Sequence, residues 1–274
     1  MSAFPEDIRR FYQPVQPTVL SDNVQARYRE RNPDTIVRSL IACYWELKSR
    51  TAIPDVFNYR VIADGCIDVY FDVNNAADSY VMGFSSTHTT FALTAGFHYF
   101  GIRFLPGAFP FLSHVPALPL SNGNNELSQV WPLLAKLIRK GISGISDADD
   151  IARACDKICT RTLLHTPAKY DDRAFESIAL VLSARGAMPV NNFDVAVSPR
   201  HLRRLFEYYV GAPPKRFSKV VRFQHFLTQK PTAQTLRKDK PFFDAGYNDQ
   251  AHFIRDFTTF FGDTPSKALR AMAW

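Results

Sequence analysis

Ser198-Pro-Arg-His-Leu-Arg-Arg-Leu-Phe206 is the stretch on which the reading of this chain turns. Ser198 suits a helix N-cap and Pro199 the first helical position. Leu202, Leu205 and Phe206 then fall on one face, with Arg200, Arg203 and Arg204 on the opposite one. A short helix with one apolar side and three guanidiniums on the other is built to lie in a nucleic-acid groove. A second unit of the same kind follows in Gly246-Tyr-Asn-Asp-Gln-Ala-His-Phe-Ile-Arg-Asp-Phe257, with an intervening helical segment over Pro214–Gln229. The C-terminal third is therefore expected to hold two helix-turn-helix units.

Charge supports that placement. The 274 residues carry a formal +7, but it is unevenly spread. Residues 181–274 hold 15 Lys and Arg against 7 Asp and Glu, whereas residues 1–180 hold 18 against 19. A basic C-terminal region beside a nearly neutral remainder points to a polyanion partner for one domain and another task for the rest. No apolar run reaches the roughly 20 residues needed to span a bilayer. Met1-Ser-Ala-Phe-Pro-Glu-Asp7 lacks the order of a secretory signal, so a cytoplasmic location is expected. Cys43, Cys66, Cys155 and Cys159 include no CxxC pair, which suits a reducing compartment. Cys155 and Cys159, one helical turn apart, read as small buried residues on one helix face rather than a redox or metal pair.

Upstream, the period changes from helix to strand. Residues 1–30 are Pro-rich and polar, an arm laid over the first domain. Ile67, Val69, Phe71 and Val73 alternate with Asp68, Tyr70 and Asp72, as in a half-buried strand. Asp64-Gly65 reads as a hairpin turn joining Tyr59–Ala63 to it, and Asp64, Asp68 and Asp72 as its exposed face. His98, Phe100, Ile102 and Phe104 alternate with Phe97, Tyr99, Gly101 and Arg103 up to Pro106-Gly107. Several such strands suggest a β-sandwich or small barrel. Leu127, Val130, Trp131, Leu134, Leu137 and Ile138 have helical spacing, with Gly141 placed to end that helix. A further helix is expected over Asp147–Leu164. Gly186, Gly211, Gly246 and Gly262 punctuate the helical remainder. The polar stretch near Lys169–Arg173 divides the chain into domains of residues 1–168 and 169–274.

Residues 175–274 resemble the DNA-binding domain of the AraC/XylS family of bacterial transcription regulators. The resemblance rests on Ser198, Arg200-His-Leu, Arg204-Leu-Phe206, Gly211, Pro214, Phe217, Arg222, Gly246-Tyr247, Asp249-Gln250, His252-Phe253, Arg255, Phe257, Phe261-Gly262, Thr264-Pro265 and Arg270. It implies an all-α domain of seven helices with two helix-turn-helix lobes joined by one long helix. Recognition helices held about 34 Å apart can enter successive major grooves of double-stranded DNA. Carried over by position, the base-reading residues are Arg200, Arg203 and Arg204 in the first lobe. In the second they are Gln250, Ala251, Ile254 and Arg255. Lys215, Arg216 and Lys219 are phosphate candidates, which set position rather than sequence choice. His201 and His252 are expected to cap or pack. The family's small residue on the first helix of each lobe is replaced by Asn192 and Phe242, and Phe242 is large enough to change the angle between helices. With residues 231–241 also unusually polar, base reading is assigned chiefly to the first lobe, and shape and phosphate contacts to the second.

Val61-Ile-Ala-Asp-Gly-Cys-Ile-Asp-Val-Tyr-Phe71, Val81-Met-Gly-Phe84 and Gly101-Ile-Arg-Phe-Leu-Pro-Gly-Ala108 resemble the β-rich N-terminal domain of one branch of the same family. That implies a cupin-like sensory or dimerisation module with flanking helices, so the whole chain is expected to be a two-domain α+β protein. Phe84, Phe91, Phe97, Tyr99, Phe100, Phe104, Phe109 and Phe111 crowd into twenty-eight residues. Tyr70, Phe84, His98, Phe100, Arg103 and Phe104 are the candidate lining of an effector pocket for a small apolar or aromatic ligand, including an acid paired with Arg103. A barrel core needs such rings anyway, and both uses stay open. The face Leu127–Ile138 offers a homodimer contact instead.

Catalysis is not expected, and no metal or cofactor is called for. His88, His98 and His114 are scattered, without H-x-H or H-E-x-x-H, and no G-x-S-x-G, P-loop or dinucleotide fingerprint occurs. The sequence thus predicts a sequence-specific transcription regulator, controlled by a small molecule or by dimerisation, with DNA and RNA polymerase as partners and no membrane. The competing expectation is a cupin-like small-molecule binder or enzyme whose helical domain has lost specific DNA binding.

Overall fold

The computed structural model describes residues 7–17, 25–50, 56–94, 96–167, 170–187 and 197–272. Its N-terminal half is built on a six-stranded antiparallel sheet. The spatial order is β1 (Ala26–Arg31), β2 (Ile41–Ser49), β7 (His98–Phe104), β4 (Ile67–Asp72), β5 (Ser79–Met82) and β8 (Asn124–Glu126). A second sheet pairs β3 (Phe57–Val61) with β6 (Thr89–Leu93).

Alternation along β7 sorts its side chains. Phe100, Ile102 and Phe104 join Tyr44, Val69, Phe71 and Val81 in the main core. That core continues into α2 (Ala108–Ser113), α4 (Pro132–Ile142) and α5 (Ala148–His165). Phe109 of α2 meets Phe104 edge-on at 5.7 Å, and the Tyr44 hydroxyl donates to Asp156 of α5 at 2.8 Å. On the opposite face Trp45 and Leu47 form a smaller apolar cluster with Phe57 and Tyr59 of β3 and, at the end of β7, Phe97.

Four local expectations are corrected. Asp64-Gly65 is not a hairpin turn, because β3 pairs with β6 rather than β4 and the chain crosses between sheets there. Asp64 and Asp68 are buried rather than exposed. The helix expected over 126–141 is interrupted at Trp131, giving α3 (Leu127–Val130) and α4 with Pro132 at its first position. Gly141 does not end α4, which runs to Ile142. A Cβ there would stand 3.0 Å from Ile158 of α5, so its lack of a side chain permits close helix contact. Cys155 and Cys159 are buried on α5, and burial pushes the Cys159 thiol up to about 12.

The N-terminal arm includes α1 (Asp7–Phe11), and the residues after it thread between the two halves. The Tyr12 hydroxyl donates to the Asp64 carbonyl. Gln16 exchanges hydrogen bonds with the Ile62 backbone and donates to Asp64 Oδ2 at 2.9 Å. Beyond α5 the chain is helical: α6 (Asp172–Ser183), α7 (Pro199–Tyr209), α8 (Pro214–Thr228), α9 (Ala233–Lys238), α10 (Gln250–Phe261) and α11 (Pro265–Ala271). The expected boundary at residues 168 and 169 and the family position Asn192 lie outside the described residues.

Candidate DNA interface and ligand cleft

The Ser198 side chain accepts from the His201 N–H at 3.3 Å, capping α7. Leu202, Leu205, Phe206 and Tyr209 are buried, which leaves Arg200, Arg203 and Arg204 exposed together. Arg203 also pairs with Glu207 at 2.7 Å, and Arg204 borders a groove shared with Pro116 and Leu118 of the N-terminal half. In α10 the Asp249 carboxylate accepts from the His252 N–H at 2.7 Å. Phe253, Phe257, Phe260 and Phe261 are buried, and Gln250, Ala251, Ile254 and Arg255 are exposed. An isoleucine 37% exposed on that face has the chemistry to meet a thymine methyl group.

Lys215 and Arg216 are exposed on the first turn of α8, whereas the Lys219 ammonium reaches Asp256 of α10 at 2.9 Å and acts as a strut. His201 and His252 stand 3.7 and 3.2 Å from the carboxylates of Asp171 and Asp256. Phe242 lies outside α9, the helix that precedes it. Proline lacks an N–H and disfavours helical geometry in the preceding residue, and α9 ends at Lys238 with Asp239 as its C-cap, before Pro241. Phe242 then lies in a turn, 2% exposed, and stacks on Phe253 with centroids 5.0 Å apart.

Both exposed helices are anchored at their C-terminal ends by the other half of the chain. The last carbonyls of a helix lack intrahelical donors. Ala117 N–H donates to the Tyr208 carbonyl of α7 at 2.8 Å, and the Ser121 hydroxyl to the Gly211 carbonyl at 2.7 Å. At the end of α10, His88 N–H donates to Thr259 at 3.2 Å and Ala63 N–H to Phe260 at 3.1 Å. Gly211 has φ +92, and a Cβ there would stand 2.4 Å from Ser121 Oγ, so glycine meets both demands. Gln224 of α8 completes the seam, donating to the Ala63 carbonyl at 2.9 Å and accepting from Val15 N–H at 2.8 Å.

The N-terminal half holds a cleft of about 310 Å³ between the six-stranded sheet and the β3–β6 pair. Trp45, Tyr59, Tyr70, Tyr80, Phe91 and Tyr99 provide ring surfaces, and Asp68 and Arg103 its charged groups. Of the six residues expected to line a pocket, Tyr70 and Arg103 do so. Phe84, Phe100 and Phe104 instead belong to the main core on the other side of the sheet. His98 is buried against Glu46 at 2.9 Å. Burial works against the Glu46 charge, but His98 and Arg27 hold its carboxyl below the usual range. Sequence reasoning missed Trp45, Tyr59 and Tyr80. Their signal was a Tyr and Trp content on strands whose partners were not yet known.

Arg103 is 1% exposed. Its Nε and Nη2 donate to Asp68 at 3.2 and 3.1 Å, Nε lies 3.2 Å from Asp64, and Nη1 reaches Glu30 at 3.3 Å and the Tyr28 hydroxyl at 3.4 Å. Trp45 Nε1–H donates to Asp68 Oδ2 at 3.0 Å. Burial outweighs the pull of Arg103 and raises the Asp68 carboxyl to about 6, with Asp64 adding to the rise. Among the described residues no cluster of His, Cys, Asp or Glu could hold a metal ion, and no helix is long and apolar enough to cross a membrane.

Comparison with known proteins agrees with this geometry. Residues 194–271 match a helix-turn-helix domain family, and residues 29–126 match a domain of unknown function (DUF6597). A β-rich domain followed by paired helix-turn-helix units defines a DNA-binding transcription regulator. The C-terminal helix-turn-helix domain is of the AraC type. No curated protein matches the chain. Among solved structures, ToxT from Vibrio cholerae is similar at 12% identity over 91% of this chain and 99% of that one, with a TM-score of 0.41. A crystal structure of ToxT bound to (E)-4-(8-methylnaphthalen-1-yl)but-3-enoic acid is similar at 11% identity over 90% and 98%, with a TM-score of 0.39.

Proposed function

We propose that this regulator reads DNA through the exposed faces of α7 and α10 and is controlled by a small molecule in the cleft beside Arg103. One observation carries the reading. The N-terminal domain holds the C-terminal ends of both helices, while the candidate base-reading residues point outward. Arg200, Arg203 and Arg204 are the base-reading set of the first unit, with guanine O6 and N7 as natural partners. Gln250, Ala251, Ile254 and Arg255 form the second set. Lys215 and Arg216 contact phosphate. The division into residues 1–168 and 169–274, a cytoplasmic location, contact with RNA polymerase and the absence of catalysis belong to the same reading.

The cleft reaches the helices through a short path. Val61 lines it, Asp64 holds Arg103, and Ala63 between them bonds both Phe260 of α10 and Gln224 of α8. A ligand that binds one arrangement of this segment more tightly shifts the population of DNA-competent molecules.

Fluorescence anisotropy on operator-sized duplexes over a salt series tests the DNA reading. Steep salt dependence with strong preference for one sequence is expected, and Arg204→Ala should cost about 1–3 kcal/mol at particular bases. Equal weak binding to every duplex would overturn it. A broad thermal-shift screen tests the effector reading, with Leu93→Trp as the cleft-filling control. Ligands that raise the midpoint of the native protein but not of Leu93→Trp support it. Hits unaffected by that substitution, or none, would sink it.

A further inference from the structure

The charge of the cleft decides what it takes. We infer that the cleft between the two sheets binds a small hydrophobic organic cation, an aryl- or alkylammonium, rather than a carboxylic acid. This rests on the proposed effector role of the cleft and names the chemical class of its ligand.

Arg103 is the group that would attract an acid, yet its guanidinium is already met by Asp64, Asp68 and Glu30. One positive charge among three carboxylates leaves an excess of negative charge beside the cleft. An incoming carboxylate would have to displace an existing partner and enter that field. The neighbouring guanidiniums of Arg27 and Arg31 do not offset it, since two carboxylates already meet them: Arg27 lies on Glu46 at 3.2 Å, and Arg31 bridges Glu46 at 3.8 Å and Asp149.

The walls favour the same sign. An aromatic ring presents negative potential from its face, and cages of such rings hold quaternary ammonium groups. Tyr70 is central here, with Trp45, Tyr80 and Tyr99 around it at centroid distances of 5.9, 5.5 and 6.0 Å. Tyr59 and Phe91, which face each other across the β3–β6 ladder, close the cleft from the other sheet. A space of about 310 Å³ suits a molecule of roughly one ring with a compact head group. The Tyr70 hydroxyl is occupied, donating to Asn124 at 3.0 Å, so Tyr70 offers the ligand its ring.

The test is calorimetric titration of the full chain with three compounds that share a phenyl ring and differ in charge: benzyltrimethylammonium, 3-phenylpropanol and 3-phenylpropanoate. The ammonium should bind at least tenfold more tightly than the alcohol, and the acid more weakly than either. Tyr70→Leu should lower ammonium affinity tenfold or more while Tyr70→Phe retains it, which separates a ring-face contact from a folding defect. Tightest binding by the acid or the alcohol, abolished by Leu93→Trp, would overturn the cationic assignment while leaving the cleft as an effector site. No binding by any of the three also overturns it, and the broad screen then decides the effector reading separately.

Discussion

The Trp45 indole occupies the space above Gly101: a Cβ on Gly101 would stand 2.1 Å from Trp45 Cε2. The two residues are direct cross-strand partners between β2 and β7, and Tyr70 pairs with Gly101 from β4 on the other side. Two large rings therefore meet across a position that must lack a side chain, and this meeting forms part of the cleft wall. Gly101→Ala should displace the indole and break its hydrogen bond to Asp68. Overpacking of this kind costs about 1–3 kcal/mol. Urea unfolding should show a lower midpoint with altered tryptophan emission. An unchanged midpoint and spectrum would mean that the indole does not sit where described.

Ligand binding and stability should both depend on pH through Asp68. Its folded-state carboxyl titrates near 6, above the ordinary value of 3.8. The sign is opposite to that of a typical salt-bridged carboxylate. The folded state binds this proton more readily than the unfolded state, so Asp68 by itself favours folding more strongly as pH falls from 7 toward 4. Asp68→Asn should flatten that component of the stability profile between pH 7 and 5. In the same interval affinity for benzyltrimethylammonium should fall several-fold in the native protein, as the charge at Asp68 is lost beside Arg103, Asp64 and Glu30. Affinity that rises on acidification would contradict this assignment.

Gln224 should matter to both halves of the chain. It is 1% exposed, and its amide serves Val15 and Ala63 at once. Gln224→Leu leaves buried backbone groups without partners, a loss of about 1–3 kcal/mol. Beyond the lower thermal midpoint, the response of DNA affinity to ligand should shrink, because the Ala63 segment is then tied to α10 alone. A variant that melts earlier but keeps its full ligand response would show that the signal takes another route.

The two recognition helices should depend on single caps. Ser198→Ala and Asp249→Ala each remove the acceptor for one N–H in the first turn, at a cost of about 0.5–2 kcal/mol. Loss of either cap should weaken operator binding more than it lowers the melting temperature, since fraying begins where the arginines and Gln250 are displayed. Hydrogen exchange at His201 and His252 amides, faster in the matching variant, checks the cause.

The recognition helices were readable because their determinants are local. A cap, a proline and a 3.6-residue period all lie within a dozen residues around Ser198 and Asp249, and the structure places the exposed and buried positions as that period dictates. The period of β7 was equally plain, but period alone does not say which face meets the helices and which the cleft. Phe100 and Phe104 therefore stood open between pocket and core in the sequence, and the structure puts them in the core. Asp64 and Asp68 failed for a related reason. Their burial depends on Arg103 thirty-five or more residues away, and on β4 and β7 being neighbours. Phe242 is a local signal answered locally, because Pro241 moves it out of α9 and onto Phe253.

One apolar core runs without a break from Ile8 through the sheet and α5 to Phe217, Phe257 and Leu269. The halves are thus distinct in architecture yet share an interior. Severing the chain ahead of α6 would bare the flank that receives Ala63, Ala117 and Tyr12, leaving a fragment with greasy surface and stranded carbonyls at the ends of both DNA-reading helices. Heating the intact chain should accordingly give a single calorimetric transition, and swapping in a foreign sensor half would require recutting the joint as well as the linker.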